Sequence, residues 1–306
     1  METEPEESRT DVNAHEARLY RVFWNDMFAK KCGSYGDTTS IPPMCFTDGS
    51  HMDVYGIVVA RDMVDHNRNI IFHRERDNCQ RITKQDPYLA LTGPTRAVLL
   101  SVDPTYVEVD LKVKGVVQSE DKDLSSLALC YRNQGASKSY MMYHEGTTNK
   151  LSTPELAFAH IVNSVEATIS VEVVYGDWPR GFRGVFTANT ASMDHMKVTL
   201  LAFEDGKLLP MDGHSNVVKL SRRVVCVELR RPKMAKVKKP KLKISAQAMR
   251  INRENDVWRN AVAFTPEKAG RSLGTLKVGS CEMQVTVAWS LLSTFKFSYD
   301  RRLLEE

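Results

Sequence analysis

A nine-residue run of this chain reads Tyr106-Val107-Glu108-Val109-Asp110-Leu111-Lys112-Val113-Lys114. Apolar and charged side chains alternate through the run after its first residue. Because successive side chains of a β-strand point to opposite faces of a sheet, this alternation predicts an antiparallel strand with one buried and one wet face. The same alternation predicts three more half-buried strands, at 168–174, 241–248 and 282–289.

Other segments are apolar at both odd and even positions, which predicts strands in the centres of sheets. They lie at 54–60, 97–102, 156–162, 198–203 and 224–229, and turn residues separate them. Many short strands without long helices between them are typical of two architectures. The fold class predicted is all-β: an antiparallel β-sandwich or an irregular barrel with one N-terminal amphipathic helix.

The helix is predicted at 13–33, where Ala17, Tyr20, Trp24 and Met27 recur at helical spacing with Phe23 and Phe28 beside them. Before it, 1–12 predicts a disordered acidic tail. After it we expect a linker loop at 34–50, one β domain at 51–293 and a C-terminal tail at 294–306. A boundary near Lys150 is the alternative, since the segment 135–149 is polar.

Composition limits the class of protein. Of 306 residues, 42% are hydrophobic and 26% are charged, which is ordinary for a folded domain, and a net charge of +4 does not indicate a polyanion partner. Six scattered cysteines favour reduced thiols over a disulfide framework. No apolar run is long enough to cross a bilayer, and the acidic N-terminus does not resemble a signal peptide. We therefore expect a cytoplasmic location, with the nucleus as an alternative, and no membrane partner.

Several segments, in order over about 50 to 293, resemble the DUF6598 family of grasses. They are Arg61-Asp62, Asp65, Arg68 to Phe72, Arg74, Arg76 to Gln80, Asp86 to Ala97, Val107 to Gly115, Val165 to Thr168, Ser221 to Val225 and Glu282 to Val287. The family has no assigned biochemical function.

The resemblance also implies a setting. Some members of the family carry this domain beside a ribosome-inactivating rRNA N-glycosylase domain, which indicates plant stress or defence. The glycosylase needs Glu-Ala-x-x-Arg on a helix. Here Glu16-Ala17-Arg18 has the wrong spacing, and Val165-Glu166-Ala167 has no arginine after it. Glycosylase activity is therefore not expected, and the chain is more consistent with a protein that is not an enzyme.

The segment 61–80 is dense in charge and has two interpretations. One is an anion or acid–base site in which Arg68, Arg74 and Arg76 hold the anion. The other, which we favour, is a hairpin whose charged side chains pair with one another and with loop carbonyls. Those side chains are Arg61, Asp62, Asp65, Arg68, Arg76 and Asp77.

Two more segments carry candidate contacts. In the loop 176–184, Trp178 and Phe182 are candidates for stacking on a base or a sugar, although such aromatics more often fold back onto the sheet. The segment 230–243 has eight basic residues and no acid. These candidate nucleic-acid or nuclear-import contacts are Arg230, Arg231, Lys233, Lys236, Lys238, Lys239, Lys241 and Lys243. A solvated loop between two strands is the simpler interpretation.

No motif for a metal, a cofactor or a catalytic nucleophile is found, so no catalytic, cofactor-binding or metal residue is predicted. Two functional hypotheses remain. The first is a non-catalytic interaction module that acts through a protein partner. The second is an RNA- or ribosome-associated protein that uses the basic segment 230–243.

Overall fold

The computed structural model describes residues 15, 17–27, 29, 52–83, 88–133, 135–136, 138–144, 152, 154–193, 196–204, 207–213, 215–229, 241–250 and 253–291. One α-helix, α1, covers 17–27. The strands are β1 (Met52–Arg61), β2 (Asn69–Arg74), β3 (Gln80–Ile82), β4 (Thr105–Val113), β5 (Lys122–Tyr131), β6 (Tyr140–His144), β7 (Leu156–His160), β8 (Ser164–Tyr175), β9 (Arg183–Thr190), β10 (Val198–Phe203), β11 (Val224–Glu228), β12 (Leu242–Arg250), β13 (Arg253–Phe264), β14 (Gly270–Val278) and β15 (Cys281–Ser290). The prediction of an all-β chain with an N-terminal helix is confirmed.

The chain divides into two compact units. Unit 1 takes Met1–Gly135, Met141–Phe158 and Ser293–Glu306, and unit 2 takes Ala136–Tyr140 and Ala159–Leu292. Compactness does not test whether either unit folds alone, so one β domain over 51–293 stays a prediction. The predicted acidic tail at 1–12, linker at 34–50 and C-terminal tail at 294–306 lie outside the described residues.

Unit 1 is built on an antiparallel sheet with the strand order β2-β1-β4-β5, in which β3 also pairs with β1. The predicted strand at 106–114 is β4, and its neighbour β1 pairs with it from Val54 to Arg61. The odd-numbered apolar side chains of β4 enter a core with Val58 and Phe72. This alternation was therefore a correct guide to the buried face of β4.

The other face of β4 is partly covered by α1, so the prediction that this face is wet was wrong for part of its length. The ring of Tyr20 stacks on that of Tyr106 with centroids 3.9 Å apart, and Trp24 is fully buried. Glu108, predicted to face water, is only 7% exposed. Alternation identifies the polar face of a strand, but a helix from elsewhere in the chain can still cover that face.

Only part of the predicted apolar stripe of the helix is buried. Tyr20 and Trp24 are one helical turn apart and face the sheet, whereas Met27 is 58% exposed. Phe23 is also exposed, and Phe28 lies outside the described side chains. Met27 is displaced from Trp24 around the helix axis, so it lies at the border of the buried stripe.

Unit 2 is a β-sandwich. One sheet has the order β10-β9-β12-β13 and the other the order β11-β8-β15-β14, all antiparallel. One continuous core takes side chains from both sheets, among them Ile169, Phe186, Ile244 and Val285. The predicted strands at 168–174, 241–248 and 282–289 correspond to β8, β12 and β15, each with its predicted apolar side chains turned inward.

Several predicted central strands have other positions. β10 and β11 are edge strands of their sheets, and β7 pairs with β6 in a two-stranded sheet. The segment 97–102 is not a strand: Leu99 N donates to Asp62 Oδ2, and Thr105 Oγ1 donates to the Leu99 carbonyl. The backbone of Leu99 is thus hydrogen-bonded by side chains and not by a neighbouring strand. Among the described residues, no helix has the length and apolar content to span a membrane.

Candidate functional site

The charged segment 61–80 forms the β1–β2 hairpin and the turn after it. Arg61 is 1% exposed, and its Nε donates to Glu108 Oε1 at 2.5 Å. Arg61 Nη1 donates to the carbonyl of His66 at 2.8 Å. This buried cation is therefore matched by one carboxylate and one carbonyl.

A second ion cluster closes the hairpin loop. Arg96 donates to both carboxylate oxygens of Asp62, at 2.8 and 2.9 Å, and to Asp65 Oδ1 at 2.8 Å. Burial by itself lowers the pKa of Arg96, but the hydrogen bonds to the two aspartates outweigh it and the pKa is raised. His66, the residue after Asp65, has its pKa lowered by burial. Asp62 and Asp65 thus hold the loop to the segment around Arg96.

The third cluster joins β1 to the turn before β5. Arg76 donates to both oxygens of Asp121, at 2.8 and 3.1 Å, and Tyr55 donates its hydroxyl to Asp121 Oδ2 at 2.6 Å. Gly115 N supplies a further hydrogen bond to the same carboxylate at 2.8 Å. The hydrogen bond from Arg76, more than any other cause, holds the pKa of Asp121 well below its usual value. Burial and the bond to Asp121 raise the pKa of Tyr55 to about 12.

The prediction that these charges serve structural pairing is confirmed, but their ion-pair partners among the described residues are Glu108, Arg96, Lys114 and Asp121, outside the segment 61–80, and not one another. Arg76 is committed to Asp121, and Arg68 lies 3.8 Å from Glu108. Arg74 donates to Asn78 Oδ1, and Asp77 lies 3.7 Å from Lys114. The arginines proposed as an anion grip are therefore directed towards groups of the protein itself.

The two aromatics of the loop 176–184 belong to the core of unit 2. Trp178 is 8% exposed, packs on Phe186 and Phe203, and donates its Nε1 to the carbonyl of Phe182. The ring of Phe182 stacks on Trp258 with centroids 4.9 Å apart. Their burial corrects the stacking hypothesis, because neither ring presents a face that a base or sugar can reach. The fold-back alternative describes this loop.

Most of the basic segment lies outside the described residues, namely Arg230, Arg231, Lys233, Lys236, Lys238 and Lys239. Lys241 and Lys243 are described. Both are exposed at the start of β12, where they alternate with the buried Leu242 and Ile244. These two ammonium groups therefore reach solvent on the side of β12 that faces away from the core.

A serine bonded to a glutamate, and a buried histidine, were not singled out in the sequence of unit 2. Ser139 Oγ donates to Glu228 Oε2 at 3.1 Å and accepts from Val162 N at 3.1 Å. His160 is buried beside Tyr140, and its Nδ1 has no hydrogen-bond partner. In a hydrolase triad the carboxylate orients the histidine, whereas here it binds the serine. The arrangement does not supply an activated nucleophile. Across the described part of the chain, no three metal-ligating side chains are grouped together.

The exposed face of α1 was also not singled out. Leu19, Val22 and Met27 are 55%, 60% and 58% exposed and line one side of the helix. The sequence did contain a signal for this face, because the helix has more apolar residues than one buried stripe requires. Contiguous exposed apolar side chains commonly mark an interaction surface.

A family model described as a domain of unknown function, DUF6598, matches residues 45–287. No curated protein and no solved structure matches the chain.

Proposed function

The chain belongs to the DUF6598 family, and we propose that it is a non-catalytic interaction module that binds a protein partner through the exposed face of α1. The observation that carries the proposal is this face: Leu19, Val22 and Met27 point to solvent while Tyr20 and Trp24 hold the helix to the sheet. The ligand of this face is a segment of a partner protein whose apolar side chains recur at helical spacing. A cytoplasmic location, expected from the scattered cysteines and the lack of a long apolar run in the sequence, is part of the same proposal. So is a plant stress or defence setting, which the family resemblance implies.

The anchoring of α1 supports this role. Trp24 donates its Nε1 to the carbonyl of His66 at 3.1 Å, and Arg21 lies 3.9 Å from Asp110. A helix held in this way presents its outer side chains with little loss of conformational freedom on binding.

The polar clusters support a non-catalytic role. An arginine binds each of three carboxylates, those of Asp62, Asp65 and Asp121. The arginine bonds to Asp62 and Asp121 are bidentate, with both carboxylate oxygens accepting. Such pairs fix loops. A catalytic carboxylate instead needs an oxygen directed at a substrate.

The test compares two triple variants of the full chain. Leu19→Ser, Val22→Ser and Met27→Ser are changed together, and the control changes Val102, Val116 and Leu208, which are even more exposed, to serine. Quantitative cross-linking in a host extract identifies proteins that the wild type contacts, and each is then purified and titrated. We expect a partner whose Kd rises at least about tenfold with the helix variant and less than about twofold with the control.

Two results would contradict the proposal. One is that every purified partner binds both variants equally well. The other is turnover of a substrate by the pure chain that a single substitution abolishes.

The exposure of Lys241 and Lys243 favours a second candidate function, RNA association through the basic segment 230–243, with nuclear import as a related use of the same charge. Phosphate contacts by lysine and arginine give affinity that falls steeply with salt. The variant changes Lys236, Lys238, Lys239 and Lys241 to glutamate. The control changes four exposed lysines elsewhere, Lys122, Lys207, Lys268 and Lys277, to glutamate.

Both variants alter the net charge equally, so a difference in RNA binding between them reports where the lysines lie and not how many there are. If the segment binds RNA, the first variant loses both the affinity and the salt slope, and the control keeps most of them. Equal losses in the two variants would assign the binding to general charge, and no binding at low salt would exclude this function.

A further inference from the structure

Arg222 lies at the place where one edge of each sheet of unit 2 comes together. Its backbone N–H donates to the carbonyl of Leu200 in β10 at 3.0 Å. The next carbonyl, that of Arg223, accepts from Ile169 N in β8 at 2.8 Å. The backbone of Arg222 is therefore fixed between the two sheets, just before β11.

The side chain of Arg222 is partly buried and has no anionic partner. Its Nε is fully buried and donates to no acceptor. Among the described residues, no carboxylate lies within ion-pair distance of its guanidinium and no hydrogen bond is made by its Nη atoms, which keep contact with solvent. The titratable group coupled to it is the Cys226 thiol, which would carry a charge only when ionised.

This arginine differs from the other buried ones. Arg61 has Glu108, and Arg96 has Asp62 and Asp65. Burial lowers the pKa of Arg222, which reflects a cation that has lost water without gaining an anion. Burial also raises the pKa of Cys226 to about 11, so this thiol is neutral at physiological pH and does not supply the missing charge.

One carboxylate of the same sheet, that of Glu166, is already occupied. Glu166 pairs across the strands with Cys226, and its Oε1 lies 3.4 Å from the hydroxyls of both Thr168 and Ser290. Its charge adds to the rise in the pKa of Cys226. Glu166 therefore acts on the thiol and makes no ion pair with Arg222.

We propose that Arg222 is the anchor of an oxyanion-binding site, which takes a carboxylate or phosphate group. The two Nη groups of a guanidinium present parallel N–H donors that match two oxygens of such a group. Nε of Arg222 is shielded from solvent, whereas its Nη atoms reach solvent, so an anion binds end-on through the Nη atoms. A buried cation without a partner is costly, so an anion that pairs with it binds with a gain in stability.

The test measures anion binding by the full-length protein through its thermal midpoint, at constant ionic strength with chloride as the reference. Inorganic phosphate and acetate are the two probes, and their comparison tells a phosphate preference from a carboxylate preference. The variants are Arg222→Met, which keeps most of the side-chain volume, and Arg222→Lys, which keeps the charge but not the paired donors. Arg223→Met is the matched control, since Arg223 is the exposed neighbour.

We expect phosphate or acetate to raise the thermal midpoint of the wild type in a saturable way. Arg222→Met should weaken that binding at least about tenfold, Arg222→Lys should weaken it by less, and Arg223→Met should change it less than about twofold. If Arg222→Met binds the anion as well as the wild type does, the proposal is overturned.

A second measurement does not depend on how well a variant folds. The Nε–H signal of Arg222 in a ¹⁵N NMR spectrum of the wild type, assigned through its scalar couplings to the rest of the residue, should shift as the anion is added. A signal that stays in place while phosphate and acetate are each raised to high concentration would overturn the proposal.

Discussion

The guanidinium of Arg61 lies under the indole of Trp24, with its Cζ 4.9 Å from the ring centroid. Both side chains also donate to the same acceptor, the carbonyl of His66. A cation on an aromatic face is stabilised by the ring, and more so away from water. Thus α1, the β1–β2 loop and the sheet of unit 1 meet at one buried point.

The first prediction concerns Trp24. Trp24→Ala removes a fully buried indole, its hydrogen bond and the ring over Arg61, and we expect the free energy of unfolding to fall by about 3–5 kcal/mol. Urea denaturation followed by circular dichroism measures it. Val22→Ala, on the exposed side of α1, should change the same quantity by less than about 0.5 kcal/mol. Equal effects would mean that α1 is not anchored through Trp24.

The second prediction concerns the buried pair of Arg61 and Glu108. Arg61→Met leaves Glu108 without its closest cation, and we expect a loss of about 3–5 kcal/mol. Changing both residues to methionine should cost less than Arg61→Met alone, because the buried carboxylate that Arg61 matched is then absent and only the more exposed Arg68 loses a partner. The exposed pair of Lys112 and Asp123 is the control, and Lys112→Met should cost less than about 1 kcal/mol.

A double-mutant cycle in chemical denaturation decides the matter. If the loss in the double variant equals the sum of the two single losses, the pair does not act as a unit and the prediction fails.

The third prediction is a pH dependence set by Asp121. Its pKa is lowered in the folded protein, first by the hydrogen bond from Arg76, so its ionised form stabilises the fold. That stabilisation is fully present above the ordinary carboxylate pKa of about 4 and is lost as pH falls towards the lowered folded value. The wild type should therefore exceed Asp121→Asn in stability at pH 6, and the gap should narrow below about pH 4.

Thermal midpoints of both proteins between pH 2 and 7, about the range in which carboxylates titrate, test this dependence. The control is Asp123→Asn, which removes an exposed carboxylate of the neighbouring strand. A gap between the wild type and Asp121→Asn that stays constant throughout would show that the carboxylate does not stabilise the fold through its charge.

The sequence predicted best those strands in which apolar and polar residues alternate in step with buried and exposed positions. In β8, β12 and β15 the inward side chains are all apolar and the outward ones mostly polar, so two-residue periodicity was enough. In β13 and β14 the pattern is weaker: Trp258 and Leu273 are exposed, and Gly274 approaches Phe264 too closely for a side chain. Strands of this kind are fixed by their neighbours rather than by their own periodicity.

The candidate sites depend on partners distant in sequence. Arg61 and Glu108 are 47 positions apart, and Arg96 and Asp62 are 34 apart. Local spacing predicted that the charges of the hairpin pair with one another, whereas their ion-pair partners lie in other parts of the chain. Arg222 shows the converse: in Ser221-Arg222-Arg223 nothing distinguishes the arginine that becomes buried from the exposed one beside it.

The last prediction tests the packing that buries the loop 176–184. A Cβ on Gly184 would lie 2.2 Å from a ring atom of Phe203 and 2.8 Å from one of Trp178. Gly184→Ala therefore forces the aromatic cluster apart, and we expect the free energy of unfolding to fall by about 1–3 kcal/mol. Since Leu is smaller than Phe, Phe203→Leu in the same chain makes room, and Gly184→Ala should then cost less than in the wild type. Denaturation of the two single variants and the double variant measures this coupling. The same cost for Gly184→Ala in both backgrounds would show that the contact with Phe203 does not explain why glycine is needed at 184.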